Sequence, residues 1–141
     1  MQEHILTDDV RDDLRHSLKH LGGDVRVAVF TVDGKNDKYN QIATQMVSEF
    51  AEVDSRIRPT YHRLGDDESA KYGIERSPTI MVQPQKQDVR FMGVPLGEEG
   101  RTFVMSLILA TSDKRTLSAE SRQRLAGLTE KRHVRVYVSP T

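Results

Sequence analysis

Asp33 and Asp37 flank Gly34, Lys35 and Asn36 in a short polar turn between an apolar run and a helical pattern. Two acids near a helix N-terminus could bind a cation or act as acid-base groups. Asp and Asn are also the residues that shape turns and cap helices, and that accounts for all three more simply. The polar segment GDDESAKYGIERSP (65–78) ends at Pro78, immediately before the apolar strand pattern that starts at Thr79. His16 and His20 lie four apart, a spacing that can set two imidazoles on one metal, but beyond His4 no third ligand follows. Asp66-Asp67-Glu68 lacks the Gly and Glu spacing of a calcium loop. Gly93, Gly97 and Gly100 are not followed by the Lys-Ser/Thr of a phosphate loop. No metal site is expected.

There is no cysteine, which excludes disulfides, thiolate nucleophiles and sulfur-ligated metals within the chain. Lys plus Arg (21) balance Asp plus Glu (21), leaving no overall field to attract nucleic acid or an anionic membrane. The longest apolar run, 103–110, falls far short of the ~20 residues of a spanning helix. The N-terminus, MQEHILTDD, has no basic segment leading into an apolar one, so no signal peptide and a cytoplasmic location are expected.

Several elements must position these groups. A helix is predicted over 7–21, with Thr7 as N-cap, apolar Val10, Leu14, Leu18 and Leu21, and Gly22-Gly23 as its stop. A strand follows at 24–32, then a helix over 37–53 capped by Asn36, with Ile42, Met46, Val47 and Phe50 inward. Residues 55–64 alternate but contain Pro59, which predicts a short or edge strand. A helical turn is expected at 68–72. Strands at 79–83 and 88–94 are close enough to form an antiparallel hairpin. Helices from 98 and over 118–128 lead to a last strand at 134–138. This order predicts an α/β fold with a mixed central sheet and helices on both faces.

Val25-Arg26-Val27-Ala28-Val29 and Val134-Arg135-Val136-Tyr137-Val138 share the pattern V-R-V-x-V, each after an amphipathic helix. Two tandem copies of one fold would produce this, and so would chance, since Val-Arg alternation is common in strands.

Three stretches carry a family resemblance. YGIERSPTIMV (72–82) resembles the thioredoxin-fold turn that leads through a cis-proline into a strand, which makes Pro78 that proline. RFMGVPLGEE (90–99) with the helix after it resembles the first thioredoxin-like unit of the flavoprotein component of alkyl hydroperoxide reductase. The same stretch resembles the first unit of the two-unit, glutaredoxin-related protein disulfide oxidoreductases. HVRVYVSPT resembles the strand that runs into the C-x-x-C of the second unit in those families. The resemblance implies a complete, redox-inert thioredoxin-like unit over 1–112. Residues 113–141 would be a linker plus the first helix and strand of a second unit. It places the vestigial dithiol region at Asp33, Gly34, Lys35, Asn36 and Asp37, opposite the cis-proline loop Ser77, Pro78 and Thr79.

The function this implies is that of a non-catalytic scaffolding domain of a disulfide reductase active in cell redox homeostasis. The resemblance implies a full-length parent passing electrons from NAD(P)H and FAD through a C-x-x-C dithiol to a peroxiredoxin or thioredoxin-like partner. No cofactor is expected in this chain itself. Its expected partners are the C-terminal remainder of its own parent chain, that redox protein, and a second copy as a homodimer. The alternative is a stand-alone adaptor that binds peptides along the cis-proline groove by strand addition. A small carboxylate enzyme is a third class, but no paired constellation supports it.

Overall fold

The computed structural model describes residues 3–113 and 116–139. The elements run α1 Asp8–Leu18, β1 Val25–Thr31, α2 Asp37–Val53, β2 Ile57–Arg63, α3 Asp67–Tyr72, β3 Thr79–Val82, β4 Arg90–Met92, α4 Glu98–Ala110 and α5 Ala119–Ala126. The four strands form one mixed sheet in the order β2-β1-β3-β4. β1 pairs in parallel with β2 and antiparallel with β3, and β3 pairs antiparallel with β4 as the predicted hairpin. Pro59 sits on β2 at the sheet edge, where a missing N–H costs no ladder bond.

The alternation of β1 divides the core. Val25, Val27 and Val29 face α1, α2 and α4, meeting Leu14, Leu18, Met46, Val47, Phe50, Phe103 and Leu107. Ala28 and Phe30 point to the other face, with Met81 and Ile74. There α3 supplies the cover. Asp66 caps it by accepting from Ser69 N, and Glu68 accepts from Arg26 of β1 at 2.9 Å. Helices thus lie on both faces, and among the described residues the cover named on the second face is this short one.

Three expectations need correction. The first helix ends at Leu18 rather than running to Leu21, before the two glycines are reached. Arg56 donates to the carbonyls of Leu18 and Leu21, and Gly22 N donates to Thr111 Oγ1, so the chain is drawn off the helical path. Asn36 occupies the N-cap position of α2 with a left-handed backbone, φ 57°, but its side chain makes no capping bond. Its amide donates to the Ser77 carbonyl instead. Finally, Val134–Val138 forms no strand: Val134 is 87% exposed and the segment pairs with neither sheet edge. Alternation marks a segment suited to a strand, but a strand exists only where a partner edge accepts its hydrogen bonds. Helix α5, capped by Ser118, likewise buries no residue.

Candidate functional site

β1 delivers the chain to the turn 32–36, and the segment 73–78 delivers Pro78 to the start of β3, next to β1 in the sheet. The predicted vestigial region and the predicted proline loop therefore meet. The Ser77–Pro78 peptide is cis. Three hydrogen bonds tie the proline loop to the turn and to α2. Val32 N donates to Ser77 Oγ at 2.9 Å, Ser77 Oγ donates to Asn40 Oδ1 at 2.7 Å, and Asn36 Nδ2 donates to Ser77 O at 2.9 Å.

Asn40 is the hub of this network. Its amide also donates to the carbonyls of Val32 (2.9 Å) and Lys35 (2.8 Å), so one buried side chain fixes both ends of the turn. The sequence reading missed it. The available signal was a short amide on the inner face of α2, in line with Ala43, Met46 and Val47. Replacing Asn40 with Ala would leave the Ser77 O–H without its acceptor and the carbonyls of Val32 and Lys35 without the Asn40 amide, at a cost of about 2 kcal/mol. Urea unfolding of Asn40→Ala beside Gln41→Ala checks this; Gln41 is exposed and its truncation is expected to be neutral.

The acids do local work. Asp33 Oδ2 pairs with Arg63 at 2.6 Å across the surface, and Asp37 Oδ1 accepts from Gly34 N at 2.8 Å. Lys35 contributes its carbonyl to Asn40. Asp33, Asp37, Asn40 and Gln41 line a depression of about 350 Å³, open to solvent and without a nucleophile. Thr79 closes its own turn by donating from Oγ1 to Arg76 O at 2.6 Å, and Pro78 O accepts from Gly93 N of the hairpin at 3.0 Å. The backbone around the cis-proline is therefore largely engaged from within the chain. His16 and His20 lie on and just beyond α1, while His4 Nδ1 sits 2.9 Å from Arg11 Nη2. Among the described residues no group of three or more His, Cys, Asp or Glu is placed to hold a metal ion. Nor is any described helix long and apolar enough to cross a membrane.

No protein-family model matches the chain. A protein named NADH dehydrogenase from Ferdinandcohnia aciditolerans is 28% identical over 106 residues, which are 74% of this chain and 18% of that protein. Among solved structures, the N-terminal domain of the alkylhydroperoxide reductase AhpF from Enterococcus faecalis superposes with a TM-score of 0.72 at 22% identity. That match covers 88% of this chain and 61% of that one. A second structure of AhpF from the same organism gives 0.71 at 22%, over 86% of this chain and 60% of that one. A protein disulfide oxidoreductase from Aeropyrum pernix gives 0.75 at 23%, over 91% of this chain and 56% of that one. This chain thus spans less than two thirds of each of these relatives. The solved structures come from the families that the stretches 72–82 and 90–99 resemble, and at these identities the likeness is one of fold. The chain has the thioredoxin-like fold, a mixed four-stranded sheet flanked by helices, as found in the N-terminal domain of AhpF and in protein disulfide oxidoreductase.

Proposed function

We propose that this chain is a redox-inert thioredoxin-like unit, residues 1–112, followed by the opening segment of a second such unit within a longer disulfide reductase. One observation carries the reading. The position where the fold would hold its dithiol is occupied by a closed hydrogen-bonded set, Asn36, Asn40 and Ser77, in a chain with no sulfur nucleophile. A thiolate there would draw its reactivity from the helix N-terminus. Here that corner is spent on holding two loops together. The unit's task is structural: it braces the redox-active second unit and positions it toward its partner. In the parent, electrons pass from NAD(P)H through FAD to the second unit's C-x-x-C and on to a peroxiredoxin or thioredoxin-like protein. That parent is cytoplasmic.

The peptide-adaptor reading has less in its favour. A groove that adds a peptide strand needs free backbone groups beside the proline, and the carbonyls of Ser77 and Pro78 already accept from Asn36 and Gly93.

Insulin-disulfide reduction tests the proposal. The full-length parent with NAD(P)H is expected to turn over, and Cys→Ser changes in its second unit to abolish turnover. Residues 1–141 alone are expected to stay at background. Reduction by the isolated chain, or a parent without a second-unit dithiol, would refute the assignment.

A further inference from the structure

Thr60 and His62 stand two apart on β2, so their side chains share the sheet face that also carries Arg26, Ala28 and Phe30 of β1. Thr60 Oγ1 lies 3.0 Å from His62 Nε2, and His62 Nδ1 lies 3.5 Å from Asp66 Oδ2. The Phe30 ring stacks on the imidazole at 5.1 Å and fixes its plane. Arg26 decides which ring nitrogen carries the proton. Its Nη2 is 3.3 Å from His62 Nε2, and a guanidinium can only donate, so Nε2 is the accepting nitrogen. The ring proton then sits on Nδ1 and faces the Asp66 carboxylate. Thr60 Oγ1 accepts from Arg26 Nε at 3.2 Å and gives its own proton to Nε2. Capping of α3 does not compete for Asp66. Its Oδ1 accepts from Ser69 N, while Oδ2, which also accepts from Arg63 N, is the oxygen turned to the imidazole. Glu68 anchors Arg26 in place at 2.9 Å.

A hydroxyl that donates to an imidazole, whose far nitrogen meets a carboxylate, is the arrangement that activates a hydroxyl for acyl transfer. We infer that Thr60, His62 and Asp66, with Arg26 beside them, form a second site, an acyl-transfer centre for small activated esters. It needs no sulfur and stands independently of the reading under Proposed function. Thr60 Oγ1 attacks the carbonyl carbon as its proton passes to His62 Nε2. Arg26, 3.2 Å from the attacking oxygen, holds positive charge beside the developing oxyanion. Collapse expels the alcohol, which takes the proton from Nε2, and leaves an ester on Thr60. Water then attacks that ester, its proton going to Nε2. The acid departs and the Thr60 oxygen takes the proton back. Asp66 is a positioning residue: it holds the ring tautomer and balances the imidazolium. Thr60 is half-buried and the His62 side chain is 16% exposed on an edge strand, so the site suits a short acyl group laid against β2.

Hydrolysis of p-nitrophenyl acetate by residues 1–141 tests this. A burst of p-nitrophenol is expected, with an acetyl group mapped to Thr60 by peptide mass spectrometry. Thr60→Val is expected to remove both and Thr60→Ser to keep both. His62→Gln is expected to slow acylation about a hundredfold, while His16→Gln, at an exposed imidazole elsewhere, leaves it unchanged. Nitrogen NMR is expected to find the His62 proton on Nδ1. Asp66→Asn, which can still cap α3, is expected to shift that proton toward Nε2 and to slow acylation at least about tenfold. Acetyl groups on lysines or the N-terminus but not on Thr60 would overturn the proposal. So would an undiminished rate in Thr60→Val, or a wild-type His62 proton on Nε2. The acetyl position and the ring proton are both read on the unsubstituted chain, so a variant that fails to fold does not obscure the result.

Discussion

Glu49→Gln is expected to cost about 3 kcal/mol at neutral pH and to abolish much of the acid sensitivity of the fold. Glu49 lies on α2 and is 2% exposed. Burial alone would push its carboxyl up. The backbone N–H groups of Leu6 and Ile5, the Gln45 amide and the Arg11 guanidinium outweigh that and hold it at about 2. The bonds are short: 2.8 Å from Ile5 N, 2.9 Å from Leu6 N, 3.0 Å from Arg11 and 2.8 Å from Gln45. This one carboxylate therefore clamps the N-terminal segment and α1 onto α2. Because the folded-state value lies below the unfolded one of 4.5, its contribution is present above that pH. It is lost as the pH falls toward about 2, since the unfolded chain then takes up the proton first. Asp54, held low by its hydrogen bond from Arg56, adds to the same acid slope. The test is therefore a difference. Urea unfolding of wild type and Glu49→Gln at neutral pH and near pH 3 should show the gap between them narrowing in acid. A gap that stays constant across that range would refute the assignment.

How much of the fold is legible in the chain depends on how local each cause is. α2 spans Asp37–Val53 as its apolar spacing indicates, because a helix is written in residues three and four apart. The β3–β4 hairpin and the edge position of Pro59 depend on neighbours a few residues away. Nothing local in the sequence pairs the loops around Asn36 and Ser77, since those residues are 41 apart and nothing in either segment names the other. Asn40 and Glu49 look like ordinary polar interruptions of an apolar face. Their significance lies in partners such as Leu6 N, 43 residues from Glu49. The strand reading at Val134–Val138 failed for a related reason: alternation describes only one side of a pairing, and no described strand takes up the other.

Gly22→Ala is expected to cost about 3 kcal/mol or more, while Gly23→Ala next to it is neutral or stabilising by up to about 1 kcal/mol. The pair differs only in surroundings. A Cβ on Gly22 would fall well inside van der Waals contact with the carbonyl oxygen of Thr111, whereas one on Gly23 meets nothing within 4 Å. Thr111 is the C-cap of α4, and its hydroxyl accepts from Gly22 N at 3.0 Å. The chain leaving α1 is thus pressed against the end of α4 at a point where backbone meets backbone and no side chain can rotate away. Relief would require α1 or α4 to shift. Both pack on the core that Leu18, Phe103 and Leu107 fill, so a shift opens voids there. Thermal unfolding of the two variants should separate them by about 10 °C. Equal midpoints would show that the α1–α4 contact is looser than this packing implies.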